Sequence, residues 1–127
     1  MTIISVSLND EYTNMLDSIQ SAYGLKGRSE AMRASISVAM NEIKEMSSLE
    51  GVVEGVLIIV RGNHADPWMI QIQAKYQDII KTQMHSHLKD HKCLEVMVVS
   101  CASKELSDMM KDIRAQDKAD YVKFVRG

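Results

Sequence analysis

The chain has 127 residues, 46% of them hydrophobic, and a formal net charge of −2. That length buries one core or two small ones, and the absence of any run of like charge excludes a polybasic arm or an acidic tail. Cys93 and Cys101 are too few for a secreted disulfide framework, no apolar stretch is long enough to span a bilayer, and MTIISVSLND lacks the basic and apolar regions of a signal peptide, so a soluble, cytoplasmic protein with no membrane partner is expected.

Composition divides the chain into a block at 1–46, a short hinge at Ser47-Ser48-Leu49-Glu50-Gly51, and a block at 52–127. In the first block, Thr2 to Leu8 alternates: Ile4, Val6 and Leu8 share one face, and Ile3, Ser5 and Ser7 the other. This is the pattern of a half-buried strand. Asn9 or Asp10 can cap a first helix carrying Tyr12, Met15, Leu16 and Ile19, with Gly24 as its stop. Ser29 can cap a second helix reaching about Met46, with Met32, Ile36, Ala39, Met40 and Ile43 as its apolar stripe.

One strand and two helices cannot bury these faces alone, and a strand without a partner leaves its N–H and C=O groups unpaired. Two intertwined chains meet both needs. With the strand IISVSLND, the helix ending YGLKG and the run RSEAMR, the block resembles a ribbon-helix-helix DNA-binding domain. The resemblance implies that Ile3, Ser5 and Ser7 face the major groove of double-stranded operator DNA. It also implies that the start of the second helix meets a phosphate at Ser29, with Lys26, Arg28 and Arg33 close by. Read as residues alone, the serines equally suit a solvent face and Arg28 a surface ion pair. The block is net acidic, with four basic and six acidic side chains. Weak non-specific binding is therefore expected, with dependence on dimer or tetramer avidity.

In the second block, Val52 to Arg61 reads as a buried strand. Asp66-Pro67 opens a helix running to about Asp78. A strand from Ile80 to Leu88 follows, with Ile80, Met84 and Leu88 expected inward and Lys81, Gln83, His85 and His87 outward. Lys92 to Ser100 makes the next strand, Ser103 caps a helix to about Ala115, and Tyr121 to Val125 closes the sheet. The order βαββαβ is the ferredoxin-like pattern. Its helices cover one face, and the His-bearing face is expected to be the open one, free to pack against another subunit.

The segment HSHLKDHKC at 85–93 holds the most chemistry. His85 and His87 point the same way on a strand, and a turn through Lys89-Asp90-His91 returns Cys93 beside them. Imidazole and thiolate donors suit nickel, copper, zinc or cobalt, and suit magnesium or calcium poorly. A solvated His-x-His pair is the alternative, and His91 on the turn reads as solvated. The ten methionines lie at core spacing and read as packing. No nucleophile–base pair, phosphate loop or paired carboxylates stand out, so no enzyme is expected.

A ribbon-helix-helix block followed by a ferredoxin-like block with H-x-H-x5-C resembles the nickel-responsive transcriptional repressors, whose regulatory part is an ACT-type domain. The resemblance covers nearly the whole chain. It implies an α+β architecture and a homotetramer, a dimer of dimers in which regulatory domains assemble at the centre. It implies a nickel site with His85, His87 and Cys93 as ligands and Glu95 as a supporting carboxylate. The family's fourth ligand is a histidine from a neighbouring subunit, at the position of Ala74 here. Three substitutes stand open: His64 reaching across from another subunit, Gln73, or water. Three readings stand open as well. One is a metal-responsive regulator with an altered site, for nickel or for copper, cobalt or zinc. The others are a regulator of the same fold that senses a small molecule, and an interaction protein that binds no DNA.

Overall fold

In the computed structural model, residues 1–47 and 50–127 are described. The chain divides into two compact units, Met1–Glu45 and Met46–Gly127. The expected hinge falls partly outside the described residues: Ser48 and Leu49 are not among them. Gly51 follows with a φ of 65°, a left-handed conformation that suits glycine.

The first unit holds helix α1 (Asp10–Ala22) and most of helix α2 (Arg28–Ser47). Asn9 caps α1, its side chain accepting from the Tyr12 amide at 2.9 Å. Gly24 ends it with a φ of 65°, which lets the Leu25 amide return to the Gln20 carbonyl at 2.9 Å. Helix α2 begins two residues earlier than expected. Gly27, not Ser29, stands before its first residue, and the Gly27 carbonyl accepts from the Ala31 amide. Residues 1–9 form no strand in the single chain, and Ile3, Ile4 and Val6 are exposed. The expected half-burial of this segment is absent, because a lone strand has no ladder to join. Among the described residues of this unit only Leu16 and Ala31 are buried.

The second unit runs β1 (Val52–Arg61), α3 (Trp68–Lys75), β2 (Ile80–His87), β3 (Cys93–Ala102), α4 (Ser103–Ala115) and β4 (Ala119–Arg126). The four strands form one antiparallel sheet in the order β2-β3-β1-β4. Helix α3 is shorter than expected at both ends, and Asp66 accepts from the Trp68 amide at its start. Ser103 is the first residue of α4 rather than its cap; the Glu105 carboxylate turns back to the Ala102 amide at 3.1 Å.

Alternation along the strands sorts the sheet into two faces. Val53, Leu57 and Ile59 of β1 and Met97, Val99 and Cys101 of β3 pack with Trp68, Met69 and Ile72 of α3 and Leu106, Met109, Met110 and Ile113 of α4. Gly55 lies in this inward row. A Cβ there would stand 2.3 Å from the Val125 carbonyl oxygen and 2.6 Å from the Phe124 ring, so the close approach of β4 requires glycine. The opposite face carries Val56, Ile58, Leu94, Val96 and Val98, with Met84 and Val125 exposed.

The facing of β2 reverses the sequence reading. Ile80 pairs with Val99 and packs towards the core, as expected. Between Ile80 and Thr82 the register shifts, and from there Gln83, His85 and His87 oppose Met97, Glu95 and Cys93. One extra residue in the strand exchanges its faces. The histidines therefore lie on the helix-covered side, and Met84 and Leu88 are exposed rather than inward.

Candidate metal centre

Three local features bring four donors together at one end of the covered face. The β2–β3 hairpin turns through Asp90 and His91, both with positive φ, and closes with the Leu88 amide donating to the Lys92 carbonyl at 2.8 Å. The second feature is the register shift in β2, which sets His87 opposite Cys93 and His85 opposite Glu95 on the covered side. The third feature is the loop after β1. Asn63 takes a left-handed φ of 45°, which asparagine tolerates, and its carbonyl accepts from the Asp66 amide at 2.9 Å. Asp66 is further tied to Lys118 at 2.9 Å. The loop so pinned presents His64.

One ligand-capable atom from each of His64, His85, His87 and Cys93 lies within 4.8 Å of the others. The Cys93 Sγ is 3.4 Å from His64 Nδ1 and 3.9 Å from His87 Nδ1. Ring centres are 4.9 Å apart for His64–His85, 4.9 Å for His64–His87 and 5.0 Å for His85–His87. Cys93 is buried and the histidines are at the surface. His64 thus approaches the other three from its own chain, where the sequence reading brought it from another subunit. Three imidazoles and a thiolate are donors that nickel, copper, zinc and cobalt accept.

Behind the donors lies a buried ionic group. Glu95 is 3% exposed and Arg61 2%. Glu95 Oε1 accepts from Arg61 at 3.0 Å and lies 2.8 Å from His85 Nδ1. An ionised carboxylate only accepts, so Nδ1 of His85 carries the proton and Nε2 is left for coordination. The Gln73 amide faces the second carboxylate oxygen at 3.4 Å and the Met97 sulfur at 3.9 Å. Gln73 therefore supports Glu95 and is not among the four clustered donors. His91 also stays outside the cluster, on the exposed turn. Ala74 is exposed near the end of α3, beside a cleft shared with Ile80 and Thr82.

Arg61 is the member that sequence reading missed. Its signal was present: position 61 continues the inward row 53-55-57-59, where a cation needs a buried anion.

In the first unit, Ile3, Ser5, Ser7, Lys26, Arg28, Ser29 and Arg33 are all exposed. Arg28 clasps Asp17 through Nε at 2.9 Å and a terminal nitrogen at 3.1 Å. This hydrogen-bonded guanidinium holds the Asp17 carboxyl below its ordinary value. Arg33 pairs with Glu30 at 3.2 Å.

A family profile described as the NikR C-terminal nickel-binding domain matches residues 55–126, more than half of the chain. A protein of Methanococcoides burtonii is 33% identical over 125 residues, covering 95% of this chain and 89% of its own. One from Methanocaldococcus jannaschii is 32% identical over 127 residues, covering 98% and 90%. Both bear the name "Putative nickel-responsive regulator". The structure of an uncharacterised Thermotoga maritima protein superposes with a TM-score of 0.54 at 10% identity, over 60% of this chain and 98% of that one, a likeness of fold alone. The chain belongs to the nickel-responsive regulator family, a family of regulators rather than enzymes.

Proposed function

We propose that the protein is a metal-responsive transcriptional regulator that binds a transition metal through His85, His87 and Cys93, with His64 as fourth donor. The observation that carries this reading is the convergence of four soft and borderline donors within 4.8 Å, inside the region matched by a nickel-binding domain. Nickel is the ion the family points to; copper, cobalt and zinc accept the same donor types. Glu95 orients His85 from behind.

Residues 1–46 form the DNA-binding domain, 47–51 the linker, and 52–127 an ACT-like regulatory and tetramerisation domain. The exposed, alternating segment Thr2 to Leu8 pairs with its copy in a second chain, which supplies the missing ladder and covers Ile4, Val6 and Leu8. Ile3, Ser5 and Ser7 then face the operator, and Lys26, Ser29, Arg28 and Arg33 lie near its phosphates. Arg28 and Arg33 already hold carboxylates, in keeping with weak non-specific binding. The helix-free sheet face, with Val56, Ile58, Val96 and Val98, supplies an apolar surface for a homotetramer. No helix among the described residues is long and apolar enough to cross a membrane, and the cytoplasm is the expected compartment. Metal must favour the DNA-competent arrangement for the two sites to be coupled.

The test is a gel shift with the DNA upstream of the protein's own gene, with and without nickel. Wild type should shift the DNA in a metal-dependent way. His85→Ala and Cys93→Ala should lose that dependence while keeping the oligomeric size. Variants that bind metal and DNA as wild type does would overturn the reading.

A further inference from the structure

The spacing of the three imidazoles carries information about the ion. In a square plane, three identical ligands occupy three of four corners, so two of them must stand opposite one another. Their ring centres would give two short separations and one long one. A metal–nitrogen bond of about 2.0 Å places a ring centre about 3.2 Å from the ion, so a plane requires separations of about 4.5, 4.5 and 6.4 Å. A tetrahedron makes all three equal, at about 5.2 Å on the same bond length. The observed values are 4.9, 4.9 and 5.0 Å. Their near-equality is the informative feature: it rules out a plane in which two of the three rings stand opposite, and it suits a tetrahedron or, at about 4.5 Å, one face of an octahedron.

The shorter sulfur distance agrees with a tetrahedron, and the longer one falls midway between the two geometries. With bonds of about 2.3 Å to sulfur and 2.0 Å to nitrogen, a tetrahedron puts sulfur and nitrogen about 3.5 Å apart, whereas a plane gives about 3.1 Å for neighbours and 4.3 Å for an opposed pair. Cys93 Sγ lies 3.4 Å from His64 Nδ1 and 3.9 Å from His87 Nδ1. The rings are also mutually inclined, at 86°, 56° and 62°, as rings converging on a central point from separate directions can be.

We propose that His64, His85, His87 and Cys93 of a single chain form a closed tetrahedral shell, which favours zinc or cobalt(II) over square-planar nickel(II) and needs no ligand from a neighbouring subunit. This rests on the reading of the cluster as a metal site and deepens it. Tetrahedral shells of nitrogen and sulfur donors favour zinc, whereas square-planar sites favour nickel or copper(II). His64 is the residue that separates the two geometries: its loop, pinned by the Asn63 turn and the Asp66–Lys118 pair, brings the fourth donor from the same chain. The position where the family's neighbouring subunit would donate is Ala74, which has no ligand atom.

The test titrates the full-length, metal-free protein with cobalt(II), then adds zinc or nickel in competition. The expected result is one cobalt per chain with intense visible ligand-field bands of tetrahedral cobalt, a thiolate charge-transfer band, and displacement by equimolar zinc but not by equimolar nickel. His64→Ala should lose the intense bands and weaken cobalt binding by more than the roughly 10–100-fold that an outer-shell loss costs. His91→Ala should match wild type, and circular dichroism checks that both variants fold. Weak octahedral cobalt bands, one ion for two chains, a diamagnetic planar nickel complex that zinc fails to displace, or a His64→Ala protein that binds like wild type would overturn the tetrahedral shell and leave the metal site standing. A wild-type protein showing no thiolate band with any of the three ions would overturn both.

Discussion

Glu95→Ala isolates what the buried ionic group does for the fold and for the donors. Arg61 is 2% exposed and its other terminal nitrogen, Nη1, has no hydrogen-bond partner among the described residues. Glu95 is its buried counter-charge, at 3.0 Å. Removing the carboxylate leaves a guanidinium in a dry site with little to solvate it. Loss of one partner from a buried pair costs about 3–5 kcal/mol. For a domain of this size each kcal/mol is worth roughly 4–8 °C in Tm, so a fall of about 12–40 °C is expected by thermal melting followed by circular dichroism. The double variant Arg61→Met, Glu95→Leu removes both charges and replaces them with side chains of comparable bulk. It should recover most of the loss, because a hydrophobic replacement of a buried pair is often neutral or stabilising by about 1–4 kcal/mol. It should still bind metal about 10–100-fold more weakly, because His85 loses the carboxylate that fixes its Nδ1 proton. Stability and affinity thus separate in the double variant. A Glu95→Ala protein that melts like wild type, or a double variant as unstable as the single one, would refute the account of an uncompensated charge.

Gly55→Ala should lower the Tm of the same domain, by overpacking worth about 1–3 kcal/mol or more, because the nearest obstacle is the rigid Val125 carbonyl at 2.3 Å; a melt equal to wild type would mean that β4 shifts freely. Asn9→Ala should weaken α1 by about 1 kcal/mol through loss of the cap to the Tyr12 amide, read as faster amide exchange in the helix's first turn. Asp112 accepts from Lys75 at 2.6 Å and from the Tyr76 hydroxyl, and these bonds hold its carboxyl below the ordinary 3.8. A carboxyl depressed in the folded state adds stability above its unfolded value and loses it as pH falls through the lower folded value. The difference in urea midpoint between wild type and Asp112→Asn should therefore be present at pH 7 and shrink as pH falls below 3.8. A difference that grows with acid would contradict the sign.

What the sequence made legible follows from the length over which each signal acts. Strand β1 was read with its observed ends because ten consecutive residues repeat one message, and the sheet's remaining elements followed from their turns and periods. His85, His87 and Cys93 were legible as a group because a hairpin holds them within nine residues. Their facing was not. Alternation says which residues share a side, but a single bulge between Ile80 and Thr82 exchanges the sides for everything after it, and nothing in IKTQMHSH marks that residue. His64 was legible only as a loop histidine, since its approach depends on the left-handed turn at Asn63 and on the Asp66–Lys118 tie across 52 positions of chain.

These two illegible features, the bulge and the loop, have one consequence between them. The bulge turns His85 and His87 towards the covered side of the sheet, where Cys93 and Glu95 already point. The loop after β1 ends at that same side, because Arg61, its last strand residue, is inward too. Covering by helices makes the floor of the site dry, which is why Glu95 can hold Arg61 and His85 at once without competition from water. Had the histidines faced the open side, their fourth donor would have had to come from whatever chain packed there. On the covered side His64 of the same chain stands beside Cys93 and the two strand histidines, whatever residue occupies position 74.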